Sequence, residues 1–198
     1  MKKLIFGLAI AATLIAACNN TNNNTSESQN RTNSSLSNSP TDNPETSSAP
    51  NAVGTFSINE IVSQYLQIKN GLANDNGNDA ANAGKAYVES ISKMDKTFLT
   101  AEKIKIWDDI SANAKEMAEH IGENPDKLEH QREHFVILSS DMYDLVKTFG
   151  SEQVLYKVFD SMANDGKGAF WLSETKEIKN PYMGRAMLSS GSIQEEIK

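Results

Sequence analysis

Apolar residues recur with helical spacing along four segments of the chain, and these segments predict a mainly α fold. Within each segment the apolar positions are three or four residues apart, which places them on one face of a helix. The predicted helices cover about residues 57–72, 79–95, 101–121 and 125–149. Because the connections between them are short, we expect neighbouring helices to run antiparallel, as an up-down four-helix bundle.

Several helix ends are marked by residues with a capping function. Ser57 and Glu60 have the spacing of a capping box at the start of the first helix. Asn124 followed by Pro125 predicts that the fourth helix begins at Pro125, with Asn124 as its N-cap. Gly122 predicts a left-handed cap at the end of the third helix.

The hydrophobic periodicity changes after residue 149. The tail, residues 150–198, contains the runs VLYKVF and GAFWL, which are rich in β-forming residues and are separated by turn-forming residues. This pattern predicts a β-hairpin. The tail also carries large apolar side chains that are unfavourable in solvent. We therefore expect a hairpin-like tail that packs on the helical bundle.

The first 54 residues are typical of an export signal followed by a tether. Lys2 and Lys3 precede a short apolar run that ends in small residues before Cys18, as in a secretory signal. The run is too short for a committed membrane span. Residues 1–17 are thus a predicted lipoprotein signal peptide, and Cys18, the single cysteine, is the predicted lipidation site. Residues 18–54 are mostly Asn, Ser, Thr and Pro, which predicts a disordered tether.

A lipid-modified Cys18 implies a location for the folded domain, which is predicted to span residues 55–198. The lipid would anchor the protein to a membrane of the cell envelope. Asn19 follows the cysteine, and the absence of Asp at this position favours the outer membrane over retention at the inner one. The domain would then face the periplasm or the cell surface. An ordinary cleaved signal with an unmodified Cys18 is the alternative.

Charge and composition exclude some classes of function. The chain of 198 residues has a formal net charge of −7 and a pI of about 5.0. Such an acidic chain lacks the basic stripe that nucleic-acid binding requires. The sequence contains no nucleophile elbow and no phosphate-binding loop, and its one cysteine is assigned to lipid. We therefore expect a protein that is not an enzyme.

Histidine and methionine supply the candidate metal ligands. His130 and His134 are four residues apart, which places both imidazoles on one face of the fourth helix. Met162, Met183 and Met187 carry thioethers, which suit a soft ion such as Cu(I). A solvent-facing histidine pair and core-filling methionines are the alternative interpretations.

Arg132 lies between the two histidines, near the edge of the apolar stripe. From that position its guanidinium could clamp a carbonyl or a carboxylate of the tail. A structural ion pair is the interpretation that we favour for this residue.

Two segments carry a resemblance to a known family. QREHFVILSSDMYDLVK and MANDGKGAFWLSETKEIKNPYMGRAML resemble a domain-of-unknown-function family of bacterial envelope lipoproteins. Related copies form the C-terminal domain of heavy-metal efflux adaptors, the membrane-fusion subunits of copper and silver exporters. The resemblance covers about residues 57–193. It implies handling of a soft metal in the periplasm.

The sequence departs from the family pattern at two positions in the tail. Asp160 and Ser190 stand where the pattern has cysteines, whereas Met162 and Met187 keep their places. The family cysteines are either soft metal ligands or the two halves of a disulfide. On both interpretations, residues 160 and 190 are expected to lie close together.

The sequence thus predicts a non-catalytic periplasmic lipoprotein domain that handles copper or silver with weakened affinity. Met162, Met187 and His134 are the expected ligands, with His130 and Asp160 as weaker candidates. An envelope or metal-efflux protein is the expected partner, and no nucleic acid is expected. The alternative is an interaction module that docks an envelope protein and needs no metal.

Overall fold

The computed structural model describes residues 56–198, so the predicted signal peptide, Cys18 and the predicted tether lie outside the described residues. Within the described range, four α-helices are followed by three β-strands, which confirms the mainly α fold. The elements are α1 (Asn59–Ala73), α2 (Gly77–Ser92), α3 (Ala101–Glu123), α4 (Leu128–Phe149), β1 (Leu155–Asp160), β2 (Ala169–Ser173), a 3-10 turn (Gly184–Ala186) and β3 (Ser192–Ile197).

The helices form because their apolar stripes bury one common core. Consecutive helices pack against each other, and the connections between them are short, as in an antiparallel bundle. Fully buried side chains from all four helices meet in this core, among them Tyr65, Tyr87, Trp107 and Phe135. No helix among residues 56–198 is both long enough and apolar enough to cross a membrane.

The predicted left-handed cap at Gly122 is wrong, because this glycine lies inside α3, where it is buried. Gly122 and Gly84 instead allow α2 and α3 to approach closely. A Cβ atom added at Gly84 would lie 2.8 Å from the carbonyl oxygen of Ala118. The glycine is therefore required by helix packing rather than by a helix end.

The start of α4 also differs from the prediction. Asn124 is the C-cap of α3, and its side-chain amide donates to the carbonyl oxygen of His120 at 2.8 Å. Pro125 disfavours helical geometry at the residue before it, so it ends α3 rather than beginning α4. The fourth helix begins three residues later, at Leu128.

The predicted capping box at α1 does not form. Its N-cap is Ile58, which makes no side-chain capping hydrogen bond. The Glu60 carboxylate accepts a hydrogen bond from the side-chain amide of Gln64 at 2.6 Å, one turn further along the helix. It is therefore not directed back towards Ser57.

The tail forms a three-stranded antiparallel sheet with strand order β2-β1-β3. The predicted hairpin is present as β1 and β2, in which Val158 pairs with Trp171. The third strand was not predicted. Its residues are mostly exposed and polar, and so it lacks the alternation of apolar and polar residues by which strands are recognised.

A buried hydrogen-bond network joins the sheet to the bundle. The hydroxyls of Tyr65 and Tyr182 both reach the Ser139 hydroxyl, at 2.9 and 3.3 Å. The Tyr182 hydroxyl also donates to the carbonyl oxygen of Phe170 at 2.7 Å, and the Leu172 N–H donates to the Tyr65 hydroxyl at 3.0 Å. Both bonds reach the backbone of β2, so this strand is fixed to α1 and α4.

A second link between sheet and bundle is a buried ion pair. The Lys69 ammonium on α1 is 1% exposed and lies 2.5 Å from the Glu174 carboxylate, which follows β2. Burial opposes ionisation of Glu174, but the hydrogen bond and the charge of Lys69 prevail and hold the pKa of this carboxyl below its ordinary value. The pair therefore contributes stability only while Glu174 is ionised.

Replacing this carboxylate should change both the stability and its dependence on pH. We expect Glu174→Gln to lower the free energy of unfolding at pH 7 by about 3 kcal/mol, because it leaves the Lys69 charge buried without a counter-ion. A carboxyl with a lowered pKa stabilises the fold above its unfolded pKa of about 4.3. That contribution is lost as the pH falls through the folded pKa.

The stability difference between Glu174→Gln and wild type should therefore shrink between about pH 5 and pH 3. Urea unfolding at several pH values measures it. Glu102→Gln, at an exposed position of α3, is the matched control and should follow wild type. A Glu174→Gln deficit that stays constant across this range would contradict the assignment.

Candidate metal centre

Three histidine rings meet where α3 ends and α4 begins. His120 lies in the last turn of α3, and His130 and His134 lie in the first two turns of α4. The four-residue spacing places the latter two on one face of α4, which packs on α3. Ligand nitrogen atoms from the three rings all lie within 4.8 Å of one another.

The distances within this histidine cluster are close to those of a metal site. The Nε2 atoms of His130 and His134 are 3.2 Å apart. Two ligand atoms of a tetrahedral site with bonds of about 2.0–2.1 Å are separated by roughly 3.4 Å, so this pair already has the required spacing. His120 stacks on His134, with ring centroids 4.3 Å apart and ring planes 6° from parallel. A rotation of the partly buried His120 side chain would complete a set of three nitrogens.

The second nitrogen of two rings also has a partner. Nδ1 of His134 lies 3.3 Å from the sulfur of Met117 on α3. Nδ1 of His130 lies 3.6 Å from a carboxylate oxygen of Glu133. The sulfur is within hydrogen-bond distance of its ring, whereas the carboxylate at 3.6 Å acts on His130 through its charge. Outer partners at one ring nitrogen orient imidazoles in metal sites, because they leave the opposite nitrogen free for the metal.

The protonation state of His134 suits ligation. Burial lowers the pKa of this imidazole below its ordinary value, and the nearby rings of His120 and His130 lower it further. Neutral imidazole is the form that binds a metal ion. At neutral pH the central ring of the cluster is therefore in its ligating form.

The structure brings together only part of the predicted ligand set. His130 and His134 are in contact, as their spacing predicts. Met162 is 56% exposed and lines a cleft with Arg132 and Val136. At about 100° per residue, those two positions lie on a different face of α4 from the two histidines. Met187 is 40% exposed and follows the short 3-10 turn in the tail.

His120 and Met117 were missed by the sequence interpretation, although a signal for His120 is present. His120 precedes the 124–127 connection by four residues, and His130 follows it by three. In an antiparallel helical hairpin, residues equally far from the connection lie side by side. Met117 falls one turn further back and has no comparable signal, because methionine is equally common in a core.

Asp160 and Ser190 lie next to each other, as both interpretations of the family pattern require. The Ser190 hydroxyl donates to Oδ2 of Asp160 at 2.9 Å. The Asn180 amide donates to the same oxygen at 2.7 Å, and the Met162 N–H donates to Oδ1 at 2.9 Å. The carboxylate is 3% exposed and accepts three hydrogen bonds, so its lone pairs are occupied in holding the tail together.

The Asn-Pro-Tyr segment at 180–182 is a second anchor of the tail. Oδ1 of Asn180 accepts hydrogen bonds from the N–H groups of Tyr182 and Met183, which closes a tight turn. Nε of Arg132 donates to the carbonyl oxygen of Pro181 at 2.9 Å. The same guanidinium also pairs with Asp75 at 2.6 Å. Arg132 therefore takes part both in a clamp on a tail carbonyl and in the structural ion pair that the sequence favours.

Together, the fold and the histidine cluster define a mainly α domain in which three imidazoles lie close together where α3 ends and α4 begins. Residues 61–154 match the model of a family described as a protein of unknown function (DUF3347). The match supports the resemblance to a domain-of-unknown-function family, and it includes His120, His130 and His134. No curated protein matches the chain, and no solved structure does either.

Removal of the Asp160 carboxylate should loosen the tail. We expect Asp160→Ala to lower the free energy of unfolding by about 3 kcal/mol, because it removes the acceptor shared by the buried Asn180 amide and the half-buried Ser190 hydroxyl, and the acceptor of the Met162 N–H. Ser161→Ala, at the exposed neighbouring position, should leave the unfolding midpoint within experimental error of wild type. Chemical denaturation measures both variants, and equal midpoints would show that Asp160 does not anchor the tail.

Proposed function

We propose that this protein is a non-catalytic metal-handling accessory of the bacterial cell envelope, in which His120, His130 and His134 hold the ion. The observation that carries the proposal is the convergence of three imidazoles within 4.8 Å. Three neutral nitrogen donors bind first-row transition ions, with the remaining position open to water or to a donor from a partner.

The cellular setting in this proposal comes from the N-terminal sequence. A basic start at Lys2, an apolar run and Cys18 support export and lipid anchoring to the outer membrane. The resemblance to copper and silver efflux adaptors supports copper as the ion and a metal-efflux protein as a partner. An anchored domain with an open coordination position would hold an ion close to such a partner.

The proposal changes the ligand set expected from the sequence. His134 and His130 keep their role, and His120 replaces the two methionines. Met162 is exposed and lines the cleft with Arg132 and Val136, and Met187 is exposed in the tail. Asp160 is assigned to the tail anchor, because its oxygens accept hydrogen bonds from Asn180 and Ser190.

Metal titration of the purified full chain tests this assignment. We expect one Cu²⁺ or Zn²⁺ ion per chain in isothermal titration calorimetry. His120→Ala and His134→Ala should each weaken binding by at least about tenfold, which corresponds to a loss of about 1.4 kcal/mol. Circular dichroism should show that both variants keep the helical fold, because each ring is partly exposed.

The double variant Met162→Ala, Met187→Ala is the matched control for this titration. It removes both exposed thioethers and leaves the histidine cluster intact, so it should bind the ion like wild type. Loss of binding in this double variant, with retention in His134→Ala, would return the site to the methionines. Absence of binding by wild type would overturn the metal function.

One structural feature favours the alternative of a metal-independent interaction module. Phe159 and Ile193 are 36% and 40% exposed and lie on neighbouring strands, and β3 is an edge strand. Exposed apolar side chains at a sheet edge are a common protein-binding surface.

Affinity capture with the tagged full chain distinguishes the two functions. With envelope extract as the source of partners, we expect capture that is lost when a chelator is added, because the metal-handling accessory presents its ion to the partner. The double variant Phe159→Ser, Ile193→Ser should then capture the same partner. Capture that survives the chelator and fails with the double variant would favour the module.

A further inference from the structure

We propose that the histidine cluster takes a borderline divalent ion, Cu²⁺ or Zn²⁺, and that Glu133 and Met117 are positioning residues that aim its imidazoles. This inference rests on the proposed function and adds two things to it. It excludes the soft ions Cu(I) and Ag⁺ from the site, and it identifies two residues that act on the ion only through His130 and His134.

The two positioning residues occupy corresponding places on the two rings. The Glu133 carboxylate lies 3.6 Å from Nδ1 of His130, and the Met117 sulfur lies 3.3 Å from Nδ1 of His134. A carboxylate or a thioether sulfur can accept a hydrogen bond but cannot donate one. The Met117 sulfur can therefore accept a hydrogen bond from Nδ1 of His134. The Glu133 carboxylate lies beyond hydrogen-bond distance of His130, but its negative charge favours a proton on the nearer nitrogen, Nδ1. Both contacts favour the tautomer in which Nδ1 carries the proton and Nε2 carries a lone pair.

This tautomer determines how the facing Nε2 atoms of His130 and His134 interact. The Nε2 atoms of His130 and His134 are 3.2 Å apart. If both carry lone pairs, they repel each other at that distance, and a bound cation converts the repulsion into two coordinate bonds. The outer contacts thus prepare the pair for a cation, in the way that carboxylates and carbonyls hold the histidines of zinc sites.

The direction of the Met117 sulfur decides the class of ion. It contacts Nδ1 of His134, whereas the nitrogen that faces His130 is Nε2, on the other edge of the same ring. The sulfur therefore lies away from the point where the nitrogens converge. A soft ion such as Cu(I) or Ag⁺ loses its preferred donor, whereas three imidazoles suit Cu²⁺ and Zn²⁺.

Titration of Zn²⁺ and Cu²⁺ into variants of the full chain tests the positioning role. Glu133→Gln keeps the shape of the side chain and removes its charge, so we expect about tenfold weaker Zn²⁺ binding, at the low end of effects on outer contacts. Met117→Leu should weaken binding by a smaller factor, because a thioether is a weak acceptor. Glu102→Gln, at an exposed position in the first turn of α3, is the matched control and should bind like wild type.

Nuclear magnetic resonance of the zinc-loaded protein provides a readout that a merely structural role would not change. Long-range proton–nitrogen correlations should show Nε2 ligation and a protonated Nδ1 in His130 and His134. Ligation through Nδ1, or equal Zn²⁺ affinities for Glu133→Gln and Glu102→Gln, would overturn the positioning role. Tighter binding of Ag⁺ than of Zn²⁺ would overturn the class of ion.

These outcomes separate the inference from the function on which it rests. Zn²⁺ binding that is lost in His120→Ala but unchanged in Glu133→Gln keeps the metal function and overturns the positioning role. A wild-type chain that binds neither Zn²⁺, Cu²⁺ nor Ag⁺ overturns both.

Discussion

The fully buried amide of Gln131 fixes the arrangement on which the other sites of this domain depend. Its Nε2 group donates to the carbonyl oxygens of Gly77 and Ile121, each at 3.0 Å. These oxygens belong to the start of α2 and the end of α3, so one side chain of α4 joins three helices. A buried polar group without a hydrogen-bond partner costs folding free energy. These two hydrogen bonds therefore fix the position of α4 along the axis of α3.

With α4 fixed along α3, three consecutive residues of α4 contact three different parts of the protein. Successive residues of a helix point about 100° apart, so Gln131, Arg132 and Glu133 face different surroundings. Gln131 faces the core, Arg132 faces the tail at Pro181, and Glu133 lies beside His130. The QREHF segment, little more than one helical turn, thus contacts the core, the tail and the histidine cluster. A shift of α4 along α3 would disturb all three together.

How much of the fold could be predicted from the sequence depends on how far apart the interacting residues are. The four helices and the β1–β2 hairpin were found because their signals are local periodicities. The wrong helix boundaries came from competition between local signals: Asn124 and Pro125 can end one helix as well as begin the next, and tertiary packing decides. The polar edge strand β3 has no local periodicity in its sequence. It forms because its backbone pairs with β1.

The candidate site was predictable to a similar extent. The contact between His130 and His134 follows from their spacing on one helix, and the clamp by Arg132 follows from its position beside the apolar stripe. The proximity of His120 to the other two histidines depends on the antiparallel packing of α3 and α4. Spacing along a single helix does not predict this contact. Met162 and Met187 are soft donors, but the residue type alone does not determine where in the fold a side chain lies.

The tail shows why the substituted cysteine positions and the histidine cluster have to be considered separately. The Asp160 carboxylate accepts hydrogen bonds from Ser190 and Asn180. The residues at the two cysteine positions of the family therefore link separate segments of the tail. Hydrogen bonds can fill the role of a cross-link here because the carboxylate is buried and its other acceptor sites are satisfied. The histidine cluster is built from α3 and α4, and no hydrogen bond among the described residues joins it to this anchor. A metal function at the cluster is therefore compatible with the loss of both thiols, since the residues that close the tail and the residues that would hold the ion belong to different elements of the fold.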